Sequence, residues 1–121
     1  MRLLALDIGG KRTGIAFVDT ANNIPLPLDT VVADDAQAMI DRVKMIVDER
    51  GVERIIVGLP LLPSGGEGAQ VVYVRRCAES LKALGYQIDF IDERHTTSDS
   101  KDYDGDARAA CELLRTYLDR Q

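Results

Sequence analysis

Tryptophan is missing from this chain, and histidine occurs once, as His95 in the polar stretch DERHTT. Cysteine occurs twice, as Cys77 and Cys111, each inside an apolar helical pattern. One histidine and two such cysteines leave no Ser–His–Asp or Cys–His pair for covalent catalysis and no metal-ligand spacing. The cysteines read as reduced, buried thiols of a cytosolic protein. Aromatic residues are 5% of the chain, so the core has to be built from Leu, Val, Ile and Ala. No long apolar run is present. The N-terminal one ends at Asp7, too short for a signal-peptide core or a membrane span, so a cytoplasmic location is expected. Bases are also in deficit, 15 Lys and Arg against 20 Asp and Glu, a net charge of −5. Phosphate neutralisation supplies most of the affinity of a nucleic-acid binder. The totals therefore oppose such a role unless bases gather on one face or bound cations change the local balance.

What is present reads as one α/β domain over residues 1–121. Residues 2–8 form an apolar run with both faces covered. Residues 12–19 form a second, reached across Gly9-Gly10-Lys11, which predicts a hairpin. Asn22-Asn23 signals a turn. Residues 26–32 read as a third strand, with Pro25 and Pro27 at its start. Ala36, Met39, Ile40, Val43, Ile46 and Val47 recur at helical spacing, with Gly51 just past the end as a cap. RIIVGL (54–59) reads as a buried parallel strand ended by Pro60. After the glycine-rich loop PSGGEG (63–68), Val71, Val74, Ala78 and Leu81 mark a second helix, stopped by Gly85. Residues 86–91 read as a strand running into Asp92-Glu93-Arg94. A last helix spans about 104–120. The order β-β-β-α-β-α-β-α predicts a mixed five-stranded sheet with the first strand central and helices on both faces. In such sheets, sites form at the carboxyl ends of strands.

Asp7 and the Asp92-Glu93 pair stand at two such ends. A carboxylate on a central strand is costly to bury without a positive partner. The partner could be a local base (Lys11 or Arg12), a metal ion, or a metal carrying a phosphate. Asp106 opens the last helix and shares a face with Ala109 and Ala110, small residues that let the helix lie close to the sheet. Acids from three elements meeting at one end would repel each other when bare. Mg²⁺ or Mn²⁺ relieves that repulsion, and two such ions can clamp a phosphodiester for in-line hydrolysis. Arg94 is either a fork donor to phosphate or an ion-pair partner of Asp92 or Asp7. His95 reads as a solvated loop residue, and Thr96 and Thr97 as caps. The Gly9-Gly10 pair serves either a ligand approaching the backbone or a turn with positive φ. PSGGEG is a plain connection or a loop that closes over substrate. Arg75, Arg76 and Lys82 read as a solvated helix face, with tracking of a nucleic-acid backbone as the alternative.

Taken together, LALDIGGKRTGIAFVD, IIVGLPLLPSGGEG, IDERHTT and DARAACELLRTYLD resemble the YqgF/RuvX family, in an order and spacing that cover most of the chain. That family comprises Holliday junction resolvases also described as pre-16S rRNA processing nucleases. The resemblance implies a ribonuclease H-like fold, divalent metal dependence, and a nucleic-acid substrate, either pre-rRNA or branched DNA. By the same resemblance Asp7, Glu93 and Asp106 are catalytic metal-site acids, with Asp92 beside them as a metal ligand. Lys11, Arg12, Arg94 and Thr97 are expected to contact substrate. No membrane partner is expected, and a homodimer is an open assembly. The chain departs from the family in one place. Relatives usually carry a longer, often basic helical stretch between the threonines and the last acid, where this sequence has only SDSKDYDG (98–105). Asp102 and Asp104 therefore remain alternatives to Asp106. Three functions stay in play: a metal-dependent nuclease on structured RNA or DNA; a non-catalytic binding module with the same fold; and a phosphotransferase, since DIGGKRTGIA also resembles the first phosphate loop of sugar kinases. The last needs a second domain for which 121 residues leave no room.

Overall fold

Continuous apolar runs organise the sheet, and the helical stripes cover its two faces. The computed structural model describes residues 1–61, 64, 66, 68–94 and 103–120, with positions 93, 94 and 103–106 described as backbone. The elements are β1 (Arg2–Ile8), β2 (Arg12–Asp19), β3 (Leu26–Val32), α1 (Ala36–Arg50), β4 (Arg54–Leu61), α2 (Ala69–Ala83), β5 (Ile88–Arg94) and α3 (Tyr103–Asp119). The five strands lie in the order β3-β2-β1-β4-β5, so β1 is central and β3 and β5 are edges. β1 pairs antiparallel with β2 and parallel with β4, and β4 pairs parallel with β5.

The pleat divides the core in two. Leu4, Leu6, Ile8, Ile15, Ile55 and Val57 pack under α1 and α2 with Val43, Val74 and Leu81. Leu3, Ala5, Ala16, Val18, Ile56 and Ile91 pack under α3 with Ala110, Leu113 and Leu114. The strands inside the sheet read as continuous apolar runs because both faces are covered. Both cysteines are buried and unbridged, one in each layer. Burial pushes both thiols up from the ordinary thiol range.

Helix α1 begins where the Asp35 carboxylate accepts the Ala38 N–H at 2.7 Å and ends at Gly51, whose φ is 62°. Asn23 takes φ 57° in the turn before β3. Elsewhere the structure departs from sequence expectation. Pro60 does not end β4, which runs on to Leu61. The ladder with β1 stops at Leu6–Val57, so beyond it the strand is bonded on one side only, where a residue without an N–H is tolerated. Strand β5 starts at Ile88 rather than at Tyr86 and extends through Arg94. Positive φ explains neither hairpin glycine: the positive-φ glycines among the described residues are Gly51 and Gly85. The Gly9 N–H donates to the Arg12 carbonyl at 2.9 Å, and a Cβ at Gly9 would sit 2.5 Å from that oxygen, whereas one at Gly10 would meet open space. Close backbone approach therefore demands glycine at position 9 alone.

Candidate functional site

Asp7 is the penultimate residue of β1, set on the α3 face by the two-residue alternation that follows Leu3 and Ala5. It is half-buried. Its partner across the antiparallel ladder is Gly14. On the other side, one step past Leu6–Val57, its row continues to Gly58. Both glycines are buried. The two residues that flank this carboxylate on its own face therefore carry no side chains. Gly14 also marks an irregularity: the β2–β3 register shifts between Thr13 and Ile15, so Asp29 and Thr30 stand against the single Gly14. Such bulges cluster next to active sites. The signal for both glycines was in the sequence, since an isolated glycine inside an apolar strand marks a bulge or a close approach.

The pleat then sorts the other expected residues. Arg12 lies two residues from Gly14 on β2 and shares its face, which makes it the diagonal neighbour of Asp7, about 7–8 Å away between Cα atoms. It is partly buried, while Lys11 is exposed and fixes the turn by accepting the Ala33 N–H at 2.9 Å. On β5, Ile91 packs under α3, so position 93, two residues on, is a position of that same face. The Asp7 row meets β5 at Ile91, which puts the backbones of Asp7 and Glu93 roughly 12 Å apart from strand spacing and rise. Asp92, also expected as a metal ligand, pairs with Leu59, belongs to the α1/α2 face and is exposed, across the sheet from Asp7. Arg94 pairs with Leu61 at the end of β5. Thr97, with His95, Thr96 and the alternative acid Asp102, falls outside the described residues.

Asp106 is in the first turn of α3. The far end of this helix is pinned. The Tyr117 Oη donates to Asp89 Oδ2 at 2.8 Å, and Arg54 Nη1 meets the same oxygen at 2.8 Å. Burial pushes Asp89 upward, but the hydrogen bonds from Arg54 and Tyr117 outweigh it and hold the carboxyl below the ordinary range. Arg54 opens β4 and Asp89 is the second residue of β5, so α3 runs back toward the strands' carboxyl ends. From Tyr117 to Asp106 the helix advances roughly 16 Å. From Arg54 to Gly58 the strand advances roughly 13 Å. The first turn of α3 therefore reaches toward the level of Asp7. Among the described residues, no three His, Cys, Asp or Glu side chains gather into a metal-binding group.

One contact that the sequence did not signal ties this end together. Gln70, in the first turn of α2, donates its Nε2–H to the Ile8 carbonyl at 2.9 Å and so braces the residue after Asp7 from the opposite face. A concavity of about 450 Å³ lies elsewhere, between α3 and the start of β3. Its lining of Pro25, Pro27, Ala107 and Cys111 offers a protonated thiol and no acid cluster. Among the described residues no helix is long and apolar enough to cross a membrane.

Five likenesses, to one family, two relatives and two solved structures, bear on this geometry. A family model described as RuvX, Holliday junction resolvase, matches residues 1–120. A Chloroflexus aurantiacus protein named "Putative pre-16S rRNA nuclease" is 41% identical over 96 residues, covering 78% of this chain and 63% of that protein. The chain thus spans less than two thirds of that relative's length. A Sulfurihydrogenibium protein of the same name is 32% identical over 133 residues, covering 98% of this chain and 90% of that protein. Among solved structures, T. thermophilus RuvC in complex with a Holliday junction substrate superposes with a TM-score of 0.58 at 12% identity, covering 98% of this chain and 96% of that one. The large terminase nuclease of phage G20c superposes with a TM-score of 0.55 at 14% identity, covering 95% of this chain and 55% of that one. At these identities the structural likeness is one of fold.

Proposed function

This chain belongs to the RuvX family and has a ribonuclease H-like fold, and from that premise we propose that it is a metal-dependent nuclease that trims the 5′ end of pre-16S rRNA in the cytoplasm. The observation that carries the reading is Asp7. A half-buried carboxylate stands one residue before the end of the central strand, between two buried glycines, at the carboxyl end of the sheet where open α/β folds place their sites. The family match and the names of the relatives supply the reaction class, and those names favour pre-rRNA over branched DNA.

The donors fit a hard divalent cation. They are all carboxylates, and oxygen ligands with remaining positions left to water or phosphate are what Mg²⁺ and Mn²⁺ take. Asp7, Glu93 and Asp106 would hold it. The chemistry that one or two such ions supply is activation of water and charge compensation at the departing oxygen of the phosphodiester. The rest falls to the chain. Asp7 is held on rigid β-structure, braced through Gln70 and the hairpin. Gly14 and Gly58 put no side chain beside it on its own face. Arg12, on the same face, offsets phosphate charge from within the protein, and Lys11 does so from the turn. Arg94 and Thr97 are the further substrate contacts. Asp92, on the other face, is left out of the ligand set.

The test is to incubate the purified protein with a pre-16S rRNA 5′ leader, and separately with a branched DNA, in Mg²⁺ or Mn²⁺. Cleavage of the RNA leader by the wild type and none by Asp7→Asn is expected. Equal cleavage by the two proteins, or none by either, overturns the reading. Cleavage of branched DNA alone transfers it to junction resolution.

A further inference from the structure

The acidity of this chain is unevenly spread. Helix α2 carries Arg75, Arg76 and Lys82 against one acid, Glu79, in a protein of net charge −5. All three bases are exposed. Two of them are not loose side chains. Arg75 Cζ sits 5.7 Å and Lys82 Nζ 5.4 Å from the centroid of the Phe90 ring, which projects from edge strand β5. A ring with a cation at each of two positions seven residues apart fixes both along the α2–β5 edge. The ion pair of Lys82 with Glu79, at 3.5 Å between exposed groups, is of the kind that a phosphate readily displaces. The edge lies on the face opposite Asp7 but starts at the same carboxyl end of the sheet. The first turn of α2 is bonded to Ile8, directly after Asp7, and Phe90 pairs with Val57, in the row before that of Asp7.

We propose that the α2–β5 edge is a second nucleic-acid contact, a track of cations for the phosphodiester backbone leading away from the Asp7 site. From Arg75 to Lys82 the helix advances about 10 Å, the rise of about three nucleotides in one strand. A substrate strand seated at the carboxyl end of the sheet passes the first turn of α2 and then follows this edge. Asp92, exposed two residues beyond Phe90 on the same face, borders the track at its site end. The inference deepens the nuclease reading and rests on it. It also reconciles an acidic protein with an anionic substrate, because the bases concentrate where the strand runs.

The experiment measures binding of a fluorescein-labelled RNA hairpin with a 5′ single-stranded leader, by anisotropy, across a salt series. Metal-free binding is compared for wild type, Arg75→Gln/Lys82→Gln, the α1 control Arg42→Gln/Lys44→Gln, and Asp7→Asn. Each phosphate contact to a single strand contributes about 0.7 to the slope of log affinity against log salt. The α2 double variant should lose about 1.4 from that slope, with the α1 control unchanged. An α2 variant with the wild-type slope, or an α1 control that loses as much, overturns the track. So does a wild type that binds anionic phosphatidylglycerol vesicles and no RNA. Cleavage of the same hairpin in Mg²⁺ separates the two readings. If the wild type cleaves while the α2 variant keeps its slope, the track fails and the nuclease stands. If the slope depends on α2 but Asp7→Asn cleaves like wild type, the catalytic reading fails.

Discussion

A methyl group added at Gly9 would lie 2.5 Å from the Arg12 carbonyl oxygen, and one added at Gly10 would touch nothing within 4 Å. The two glycines look equivalent in the sequence, and their substitutions should not be. Gly9→Ala forces the hairpin next to Asp7 apart and should cost about 1–3 kcal/mol, whereas Gly10→Ala should stay within about 0.5 kcal/mol of wild type. Urea denaturation of the two variants checks this. Asp89 gives a second prediction at this scale. Its carboxyl is held low by Arg54 and Tyr117, so its contribution is present above the unfolded value near 4 and is lost as the pH falls through the folded value. Asp89→Asn should therefore be less stable than wild type at pH 6–7, with the gap closing below about pH 4. The ion pair is about one-third exposed on each side, which limits the gap to about 1 kcal/mol. A gap that widens in acid would contradict the assignment.

Among the elements, α3 has the most to hold together, since it covers the central strands on its own face and carries Asp106. Its own Leu114 is fully buried against the sheet, and Leu114→Ala should cost about 2–5 kcal/mol in thermal or denaturant unfolding. Tyr117→Phe removes one hydrogen bond to a charged acceptor and should cost about 1–2 kcal/mol. The buried thiols on α2 and α3 give a gentler probe. With Cys77 and Cys111 both pushed up by burial, neither should react with a thiol reagent at pH 7 until the chain unfolds. At the level of elements the sequence was largely legible. The strands at 2–8, 12–19 and 26–32 and the cap at Gly51 stand where period and turn chemistry put them. Pro60 was not legible, because whether a proline ends a strand depends on whether a neighbour needs its N–H, and the extent of β1 decides that. The same dependence hid the fate of Asp92 and Glu93. Adjacent residues of a strand face opposite ways, and only the register of β5 on β4 tells which of the pair shares a face with Asp7.

For the whole molecule, two facts pull against each other: a net charge of −5 and membership of a family that acts on nucleic acid. Local arrangement reconciles them. On the proposed reading the carboxylates at the end of the sheet hold cations, and α2 carries a local surplus of bases. The central claim is that Asp7 and Glu93 share one face at the carboxyl end of the sheet and hold a divalent ion there, while Asp92 does not. A Mn²⁺ titration followed by electron paramagnetic resonance tests it most directly, on wild type and on Asp7→Asn, Glu93→Gln and Asp92→Asn. The expected result is bound Mn²⁺ in wild type and in Asp92→Asn, and at least a tenfold loss of affinity in Asp7→Asn and Glu93→Gln. Undiminished Mn²⁺ binding by Asp7→Asn would contradict the account.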